Sequence, residues 1–400
     1  MPGMSTWQGP ATTGEVFSLI RDGRADTRSE IGRVTGLSRT AVAARVASLL
    51  DTGLVVEGTE ATDGVRLPSS GGRPPARLRF DRDAGVVLAG AIGRSRTQLA
   101  VCNLEGAVLA STDLDQEVGP AAGDLMPQAV KAFAGLLDDV GREASSVRAV
   151  GLSIPGTVDA ERGASLDSPI MNGWAGVELA PYLRELTRAP VFVDNDANVM
   201  ALSERRGHLE RHRDLVFVKA STGIGVGVVI GGTLVRGALG AAGEIGHTKL
   251  AAAAGLGCRC GETGCLETVA GGWALTQAAR AEGQDVAHVR DLVELAVRGD
   301  ADARHRVREA GRRIGEVMAA SVNLLNPEAV VIGGDLAAAY DSFVAGLRES
   351  LYAQASALAT RRLLVVPVTH GDRSGVVGCA ALALREVLDS AAVDRALAGG

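Results

Sequence analysis

The chain has 400 residues, a net charge of −6 and only five cysteines. At this length it can bury a large core in two or three domains, and it does not need a disulfide scaffold. The sequence contains no apolar run long enough to span a membrane, and its start lacks the basic and apolar regions of a secretion signal. We therefore expect a cytoplasmic protein with reduced thiols and no membrane partner.

Charge is unevenly distributed along the chain. Residues 1–80 carry a net charge of +2, and the remaining residues carry −8. The overall acidity argues against nucleic-acid binding over the whole surface, but a small basic domain on an acidic body can meet DNA through one face. Arginines outnumber lysines by 38 to 3, so a single arginine is a weak indication of a site.

Three helices are predicted within the first eighty residues. Apolar residues at helical spacing indicate the first helix within 13–23. Thr27 and Glu30 have the spacing of a capping box, so a short helix should begin there and end at Gly36. Ser38 can cap a third helix with one apolar face, formed by Val42, Val46, Leu49 and Leu50. This order of helices is typical of a helix-turn-helix.

The beginning of the third helix is the part that enters the major groove in a helix-turn-helix. The predicted DNA contacts are therefore Ser38, Arg39, Thr40 and Arg45. The alternative is a three-helix scaffold with a solvated polar face.

The runs LVVEG and RLRF flank SSGGRPPAR and favour a winged hairpin. Arg73 in this connection can enter a minor groove, although the segment can equally be a linker between domains. We assign residues 1–10 to a flexible tail and residues 11–80 to a winged helix-turn-helix domain with its linker.

From residue 82 onwards, apolar strands alternate with glycine turns and alanine-rich helices, which predicts an α/β class. VVLAGAIG and TQLAVCNLEGAVLAS read as successive antiparallel strands, and DLVFVKASTGIGVGVVIGGTLV begins a second set. Two similar halves, each a sheet with helices, fit a two-lobed fold with a ligand cleft between the lobes.

Three cysteines stand close together in GLGCRCGETGCLE, namely Cys258, Cys260 and Cys265. Thiolates at this spacing can supply three ligands of a tetrahedral zinc site, and the neighbouring glycines permit the tight turns that chelation requires. A fourth ligand is missing from the run. The alternative is a loop with three reduced cysteines that bind no metal.

Four motifs together resemble the ROK family of sugar kinases and sugar-responsive repressors: DNDAN at 194–198, STGIGVG at 221–227, GEIGH at 243–247 and GCRCGETGCLE at 257–267. The resemblance covers essentially the whole chain. It implies a two-lobed actin-like (ribonuclease H-like) sugar-kinase fold behind an N-terminal winged helix-turn-helix of the repressor branch. The first lobe would comprise 82–200 with a C-terminal helix at about 375–395, and the second lobe, with the zinc loop, would comprise 201–374.

The resemblance also implies the site residues. His247 is the fourth ligand of a structural Zn²⁺ ion, alongside the three cysteines. The sugar contacts are Asn195, Asp196, Glu244, His247 and Glu267, whose carboxylates, amide and imidazole suit sugar hydroxyls. Asp196 matches the catalytic base of the kinases. The phosphate loop matches Gly223, Gly225 and Gly227.

The first phosphate motif departs from the kinase pattern. Ala91 stands at the position of an aspartate, Arg94 at that of a glycine and Ser95 at that of a threonine. Loss of the carboxylate should impair phosphoryl transfer, which depends on positioning and charge stabilisation. Ile170 stands where sugar-binding kinases have an asparagine, so the motif does not specify which sugar is bound. Arg94 and Arg96 can instead capture the phosphate of a phosphorylated sugar, or they can be solvated surface residues.

Two functions remain at this point. The first is a transcriptional regulator, for which we expect repression that the ligand relieves. It would bind operator DNA and a sugar or sugar-phosphate effector as a homodimer or homotetramer, and it would not be an enzyme. The second is an ATP- and Mg²⁺-dependent sugar kinase, similar to glucokinase, with an appended DNA-binding domain. Ala91 favours the regulator.

Overall fold

A computed structural model describes residues 10–58, 76–94, 96–115, 119–167 and 171–399. Nearly all of the expected tail therefore lies outside the described residues. Three residues on which sequence predictions depend also lie outside them, namely Arg73, Ser95 and Ile170.

The N-terminal part contains the three predicted helices, α1 (Thr13–Arg21), α2 (Arg28–Thr35) and α3 (Arg39–Asp51). The Thr27 side chain accepts a hydrogen bond from the Glu30 amide, as predicted, but the Glu30 carboxylate accepts from the Asp26 amide and so does not complete a capping box with Thr27. Gly36 ends α2 at a φ of 74°, which glycine adopts without strain. Ser38 caps α3, with its side chain accepting from the Ala41 amide at 3.2 Å.

A two-stranded antiparallel sheet follows the helices and consists of β1 (Val55–Gly58) and β2 (Arg77–Phe80). Phe80 packs edge-to-face on Phe17 of α1, with ring centroids 5.7 Å apart. The apolar faces of the three helices are buried in one core cluster with Val55 and Leu78 of this sheet, including Val16, Ile31, Val42, Val46 and Leu49.

Two five-stranded sheets form the body of the protein, and both have the same order. In each sheet the strand that comes first in the chain lies in the middle. The second and third strands follow on one side of it as antiparallel neighbours, and the fourth and fifth follow on the other side as parallel neighbours. The strands predicted for VVLAGAIG and TQLAVCNLEGAVLAS are confirmed, and a turn after Asn103 divides the second run into two strands. The first sheet consists of β3 (Val86–Ile92), β4 (Arg96–Asn103), β5 (Val108–Asp115), β6 (Val147–Ile154) and β9 (Val191–Asn195).

The second sheet consists of β10 (Leu215–Ala220), β11 (Ile224–Ile230), β12 (Thr233–Val235), β13 (Ala329–Gly333) and β14 (Leu364–Pro367). A separate hairpin joins β7 (Thr157–Asp159) to β8 (Ala164–Asp167). The remaining α-helices are α4 (Ala122–Asp139), α5 (Ala180–Leu183), α6 (Asp196–Ser203), α7 (Glu267–Ala270), α8 (Gly272–Ala281), α9 (Val289–Arg298), α10 (Ala301–Leu325), α11 (Tyr340–Gln354), α12 (Ala357–Thr360), α13 (Ser374–Leu388) and α14 (Ser390–Gly399). Short 3-10 helices lie at Ala144–Ser146, Glu204–Arg206, Ile245–His247, Ala251–Ala253, Asp335–Ala339 and Gly371–Arg373.

Helices α6 and α13 form a central layer between the two sheets. Their apolar residues belong to one core cluster with inner faces of both sheets. The two helices approach closely, because a Cβ atom on Gly378 of α13 would lie only 1.9 Å from the Val199 carbonyl oxygen of α6. The outer faces of the sheets are covered by α4 on one side and by α10 on the other. No helix in the described part of the chain is long and apolar enough to cross a bilayer.

The N-terminal helices are joined to the body through α1 and the C-terminal helices. The Gly14 amide donates to the Asp394 carboxylate at 2.7 Å, and the Ser18 and Ser390 hydroxyls lie 2.8 Å apart. The Arg21 guanidinium donates to the Leu388 carbonyl at 2.8 Å. We refer to these contacts between α1 and the α13–α14 corner as the interdomain joint.

Candidate functional site

A cleft of about 880 Å³ lies between the two sheets. It is lined by the turns and strand ends that face each other, including the β3–β4 turn, the β9–α6 junction, the β10–β11 turn and the start of α13. The sugar contacts implied by the resemblance all line this cleft, namely Asn195, Asp196, Glu244, His247 and Glu267.

Asn195 fixes the β9–α6 junction. Its side-chain oxygen accepts from the Ala197 amide at 2.8 Å, so Asn195 is the N-cap of α6. Its side-chain nitrogen donates to the Gly156 carbonyl at 2.9 Å. The cap places Asp196 at the first position of α6, facing the cleft.

Lys219 forms an ion pair with the carboxylate of Asp196. Its ammonium nitrogen lies 2.6 Å from Asp196 Oδ2, and Lys219 also lines the cleft. Burial lowers the pKa of Lys219, but the charges of Asp196, Asp335 and Glu267 outweigh this effect and raise the pKa overall. Lys219 was not among the residues predicted from the sequence, although it is one of only three lysines and lies two residues before the STGIGVG loop.

The GEIGH segment brings a carboxylate and an imidazole to the same wall. Glu244 Oε2 lies 3.8 Å from His247 Nε2. Burial raises the pKa of Glu244, and the charges of Asp196 and Glu267 add to this increase, while His247 opposes it.

The structure brings His247 together with the three clustered cysteines. The ligand atoms of His247, Cys258, Cys260 and Cys265 all lie within 4.8 Å of one another. His247 Nδ1 is 3.8 Å from Cys258 Sγ, and Cys260 Sγ is 3.8 Å from Cys265 Sγ. These four residues form a cluster that can hold a metal ion. The same imidazole faces the cysteines through Nδ1 and Glu244 through Nε2.

We refer to residues 257–265, which carry the three clustered cysteines, as the metal loop. Glu267 lies between the metal loop and the second sheet and is 7% exposed. Its Oε1 accepts from the Ile224 amide at 2.7 Å, and its Oε2 accepts from Trp273 Nε1 at 3.3 Å. A Cβ atom on Gly223 would lie 2.6 Å from Glu267 Oε1. The glycine at 223 therefore allows Glu267 to reach the cleft wall.

The other glycines of this loop lie against α6. A Cβ atom on Gly227 would lie 2.3 Å from the Ala197 carbonyl oxygen, and one on Gly225 would lie 3.3 Å from the Ala197 side chain. Close packing of β11 on α6 thus accounts for glycine at 227 without a bound phosphate.

Arg259 also lines the cleft, and the sequence analysis missed it. Its guanidinium carbon lies 4.7 Å from the Trp273 ring centroid, and its Nη2 lies 3.6 Å from Glu267 Oε2. Burial lowers the pKa of Arg259; Glu267 opposes this effect, and the charge of Arg94 adds to it. Its position between two cysteines of the metal loop is the signal that could have identified it.

The first phosphate motif, at the end of β3 and in the β3–β4 turn, lies beside the start of α13. Ala91 lines the cleft, and a Cβ atom on Gly375 of α13 would lie 2.7 Å from the Ala91 side chain. Arg94 lines the cleft as well. Arg96 also lines it, and its guanidinium donates to Asp113 at 2.7 Å, an interaction that lowers the pKa of Asp113.

The predicted DNA contacts differ in their exposure. Ser38, Arg39 and Thr40 are exposed at the start of α3. Arg45 is half-buried and donates through Nε to the Ala11 carbonyl at 2.7 Å, so its guanidinium is held within the N-terminal part.

Residues 87–386 match the sequence pattern of the ROK family. The chain belongs to the ROK family. A xylose repressor of Caldicellulosiruptor bescii is 27% identical over 388 residues, which cover 93% of this chain and 95% of that protein. A glucokinase of Halalkalibacterium halodurans is 32% identical over 249 residues, which cover 58% of this chain and 75% of that protein.

Among solved structures, a ROK family transcriptional regulator, described as a homolog of the E. coli MLC protein, superposes with a TM-score of 0.79 and 25% identity. The superposition covers 97% of this chain and 98% of that chain. The predicted family and fold class are thereby confirmed. Similarity to the ROK regulators extends over nearly the whole chain, whereas similarity to the glucokinase does not.

Proposed function

We propose that this ROK protein is a sugar-responsive transcriptional repressor that acts in the cytoplasm. The main support is that one chain combines two features. The start of α3 is exposed at Ser38, Arg39 and Thr40, and the cleft is lined with side chains that can form hydrogen bonds with a sugar. Its similarity to a xylose repressor along 93% of its length supports the same function.

The DNA-binding end is the start of α3. An exposed arginine between two exposed hydroxyl side chains can contact base edges and phosphates in a major groove. Arg73 would add a minor-groove contact from the hairpin connection. Helices of this type read two half-sites of an operator, so the proposed active form is a homodimer or homotetramer.

The effector end is the cleft, where Asp196, Glu244 and His247 offer hydrogen-bond partners for a sugar or sugar derivative. The protein is not proposed to phosphorylate this sugar. Ala91 supplies no carboxylate for a metal-bound nucleotide, and one oxygen of the Asp196 carboxylate is engaged by Lys219. Gly223, Gly225 and Gly227 are then the remnant of a phosphate loop.

The metal of the cysteine cluster is proposed to be zinc. A tetrahedral ion with zinc–sulfur bonds of about 2.3 Å places its sulfur ligands about 3.8 Å apart. Cys260 Sγ and Cys265 Sγ have this separation. Four protein ligands and no open position describe a structural ion. Its part would be to hold His247 at the cleft wall, beside Glu244.

Helix α13 is the proposed link between the two ends. It begins beside Ala91 in the cleft, and the Leu388 carbonyl at its end accepts from Arg21 of α1. A helix of this length spans about 22 Å. Sugar binding that favours one arrangement of the lobes would move α13. Through the interdomain joint this movement would change the spacing between the α3 helices of two subunits.

Fluorescence anisotropy with labelled DNA from upstream of the coding sequence tests the DNA-binding part. The wild type should prefer this DNA over a scrambled fragment, and its affinity should fall as salt rises. Arg39→Ala should weaken specific binding by about tenfold. Arg162→Ala should have no effect, because Arg162 is an exposed residue of the hairpin between β7 and β8. Equal affinity for both fragments would contradict the proposal.

An ATP and Mg²⁺ phosphorylation assay over a panel of sugars tests the competing kinase function. No sugar phosphate should form. Robust turnover without preference for the upstream DNA would favour the kinase.

A further inference from the structure

Two guanidinium groups reach the cleft from opposite sides. Arg94 belongs to the β3–β4 turn of the first sheet, and Arg259 belongs to the metal loop beside the second sheet. Both line the cleft. The sequence suggested Arg96 as the companion of Arg94, but Arg96 pairs with Asp113.

Part of the hydrogen-bonding capacity of these two arginines is unused. Within the described part of the chain, Arg94 Nε, Arg259 Nε and Arg259 Nη2 are buried without a hydrogen-bond partner. Burial of an unpaired donor costs free energy unless a ligand or water satisfies it. Guanidinium forks match the oxygens of phosphate and carboxylate groups, often with two parallel hydrogen bonds.

The nearby charges leave this place positive. Glu267 Oε2 lies 3.6 Å from Arg259 Nη2. Burial lowers the pKa of Arg94, and the charge of Glu267 opposes this effect. Two other carboxylates of the cleft are engaged elsewhere, because Asp196 pairs with Lys219 and Asp335 accepts from Ser221.

We propose that Arg94 and Arg259 form an anion subsite that binds the phosphate or carboxylate group of an anionic sugar. The inference rests on the proposed function, because the sugar ring would occupy the adjacent wall formed by Asp196, Glu244 and His247. Each side of the cleft contributes one arginine, so an anion held by both stabilises the closed arrangement of the lobes. The effector of this protein is then a sugar phosphate or a sugar acid, and the neutral sugar binds more weakly.

Isothermal titration calorimetry tests the subsite with glucose, glucose 6-phosphate, glucuronate and inorganic phosphate. The wild type should bind at least one of the two anionic sugars about tenfold or more tightly than glucose. This ratio should fall toward one in Arg94→Gln and in Arg259→Gln. Arg162→Gln is the control and should keep the wild-type ratio, because Arg162 is exposed and pairs with Glu178.

The outcomes separate the ligands and the hypotheses. Preference for the phosphate ester alone assigns the subsite to phosphate, and preference for glucuronate alone assigns it to carboxylate. Equal affinity for glucose and both anions, no measurable binding of any probe, or a wild-type ratio in both variants would overturn the subsite. Binding to the upstream DNA is measured on the same preparations. An anion preference without DNA binding refutes only the proposed function, whereas DNA binding that responds equally to all three sugars refutes only the subsite.

Discussion

The ammonium group of Lys219 lies 2.6 Å from the Asp196 carboxylate, so the residue that matches a kinase base is half of an ion pair inside the cleft. The pair joins β10 of the second sheet to the first turn of α6. It leaves Asp196 able to accept hydrogen bonds from a sugar through its other oxygen.

Asp196→Asn should therefore weaken sugar binding. A hydrogen bond to a charged group contributes about 1.5–3 kcal/mol, so the dissociation constant of the effector should rise by about tenfold or more. Calorimetric titration measures this change, and thermal unfolding of the variant checks that it is folded. An unchanged dissociation constant would show that the sugar does not contact Asp196.

The cysteine cluster should hold one metal ion per chain. Cys260→Ser should lose the ion and with it much of the affinity for the sugar, because His247 is then no longer held at the cleft wall. Elemental analysis gives the metal content, and calorimetry gives the affinity. Cys102→Ala is the control, since Cys102 is buried in β4 and is not part of the cluster. Full metal content in Cys260→Ser would contradict the assignment.

A buried ion pair should stabilise the contact between the two halves. Asp194 is 2% exposed, and its Oδ2 accepts from Arg236 Nε at 2.7 Å. Arg236→Ala leaves this carboxylate without its cation and should lower the free energy of unfolding by about 3 kcal/mol. Urea denaturation measures the loss. Arg162→Ala, which removes an exposed ion pair with Glu178, should cost less than about 1 kcal/mol. Equal losses in the two variants would refute the argument.

The interdomain joint should transmit the response to sugar. A Cβ atom on Gly14 would lie 1.9 Å from the Ser390 carbonyl oxygen, so Gly14→Ala must push α1 away from α14. The variant should bind upstream DNA with an affinity that no longer depends on the sugar. Gly123→Ala in α4, where no atom lies within 4 Å of the added Cβ, should retain the wild-type response in the same anisotropy assay. A normal response in Gly14→Ala would exclude the joint as the route.

Local patterns predicted much of the fold, because caps, apolar spacing and glycine turns act over a few residues. Ser38 caps α3 as expected, and the strands around the Asn103 turn are present. The metal cluster was also accessible, since its cysteines are close in sequence and the family resemblance supplied His247.

Contacts between distant elements could not be read in the same way. Lys219 and Asp196 meet only because two strands and a helix converge at the cleft, and Arg45 reaches Ala11 across the packing of α3 on the start of α1. Because the chain contains 38 arginines, Arg259 could not be distinguished in the sequence from arginines on the solvated surface.

Whether a sugar controls DNA binding is decided by the affinity of the wild type for its upstream DNA, measured by anisotropy with and without a sugar that calorimetry shows to bind. We expect specific binding that the sugar weakens by about tenfold or more, within the usual range of coupling between two sites. Specific DNA binding that remains unchanged at saturating sugar would contradict it.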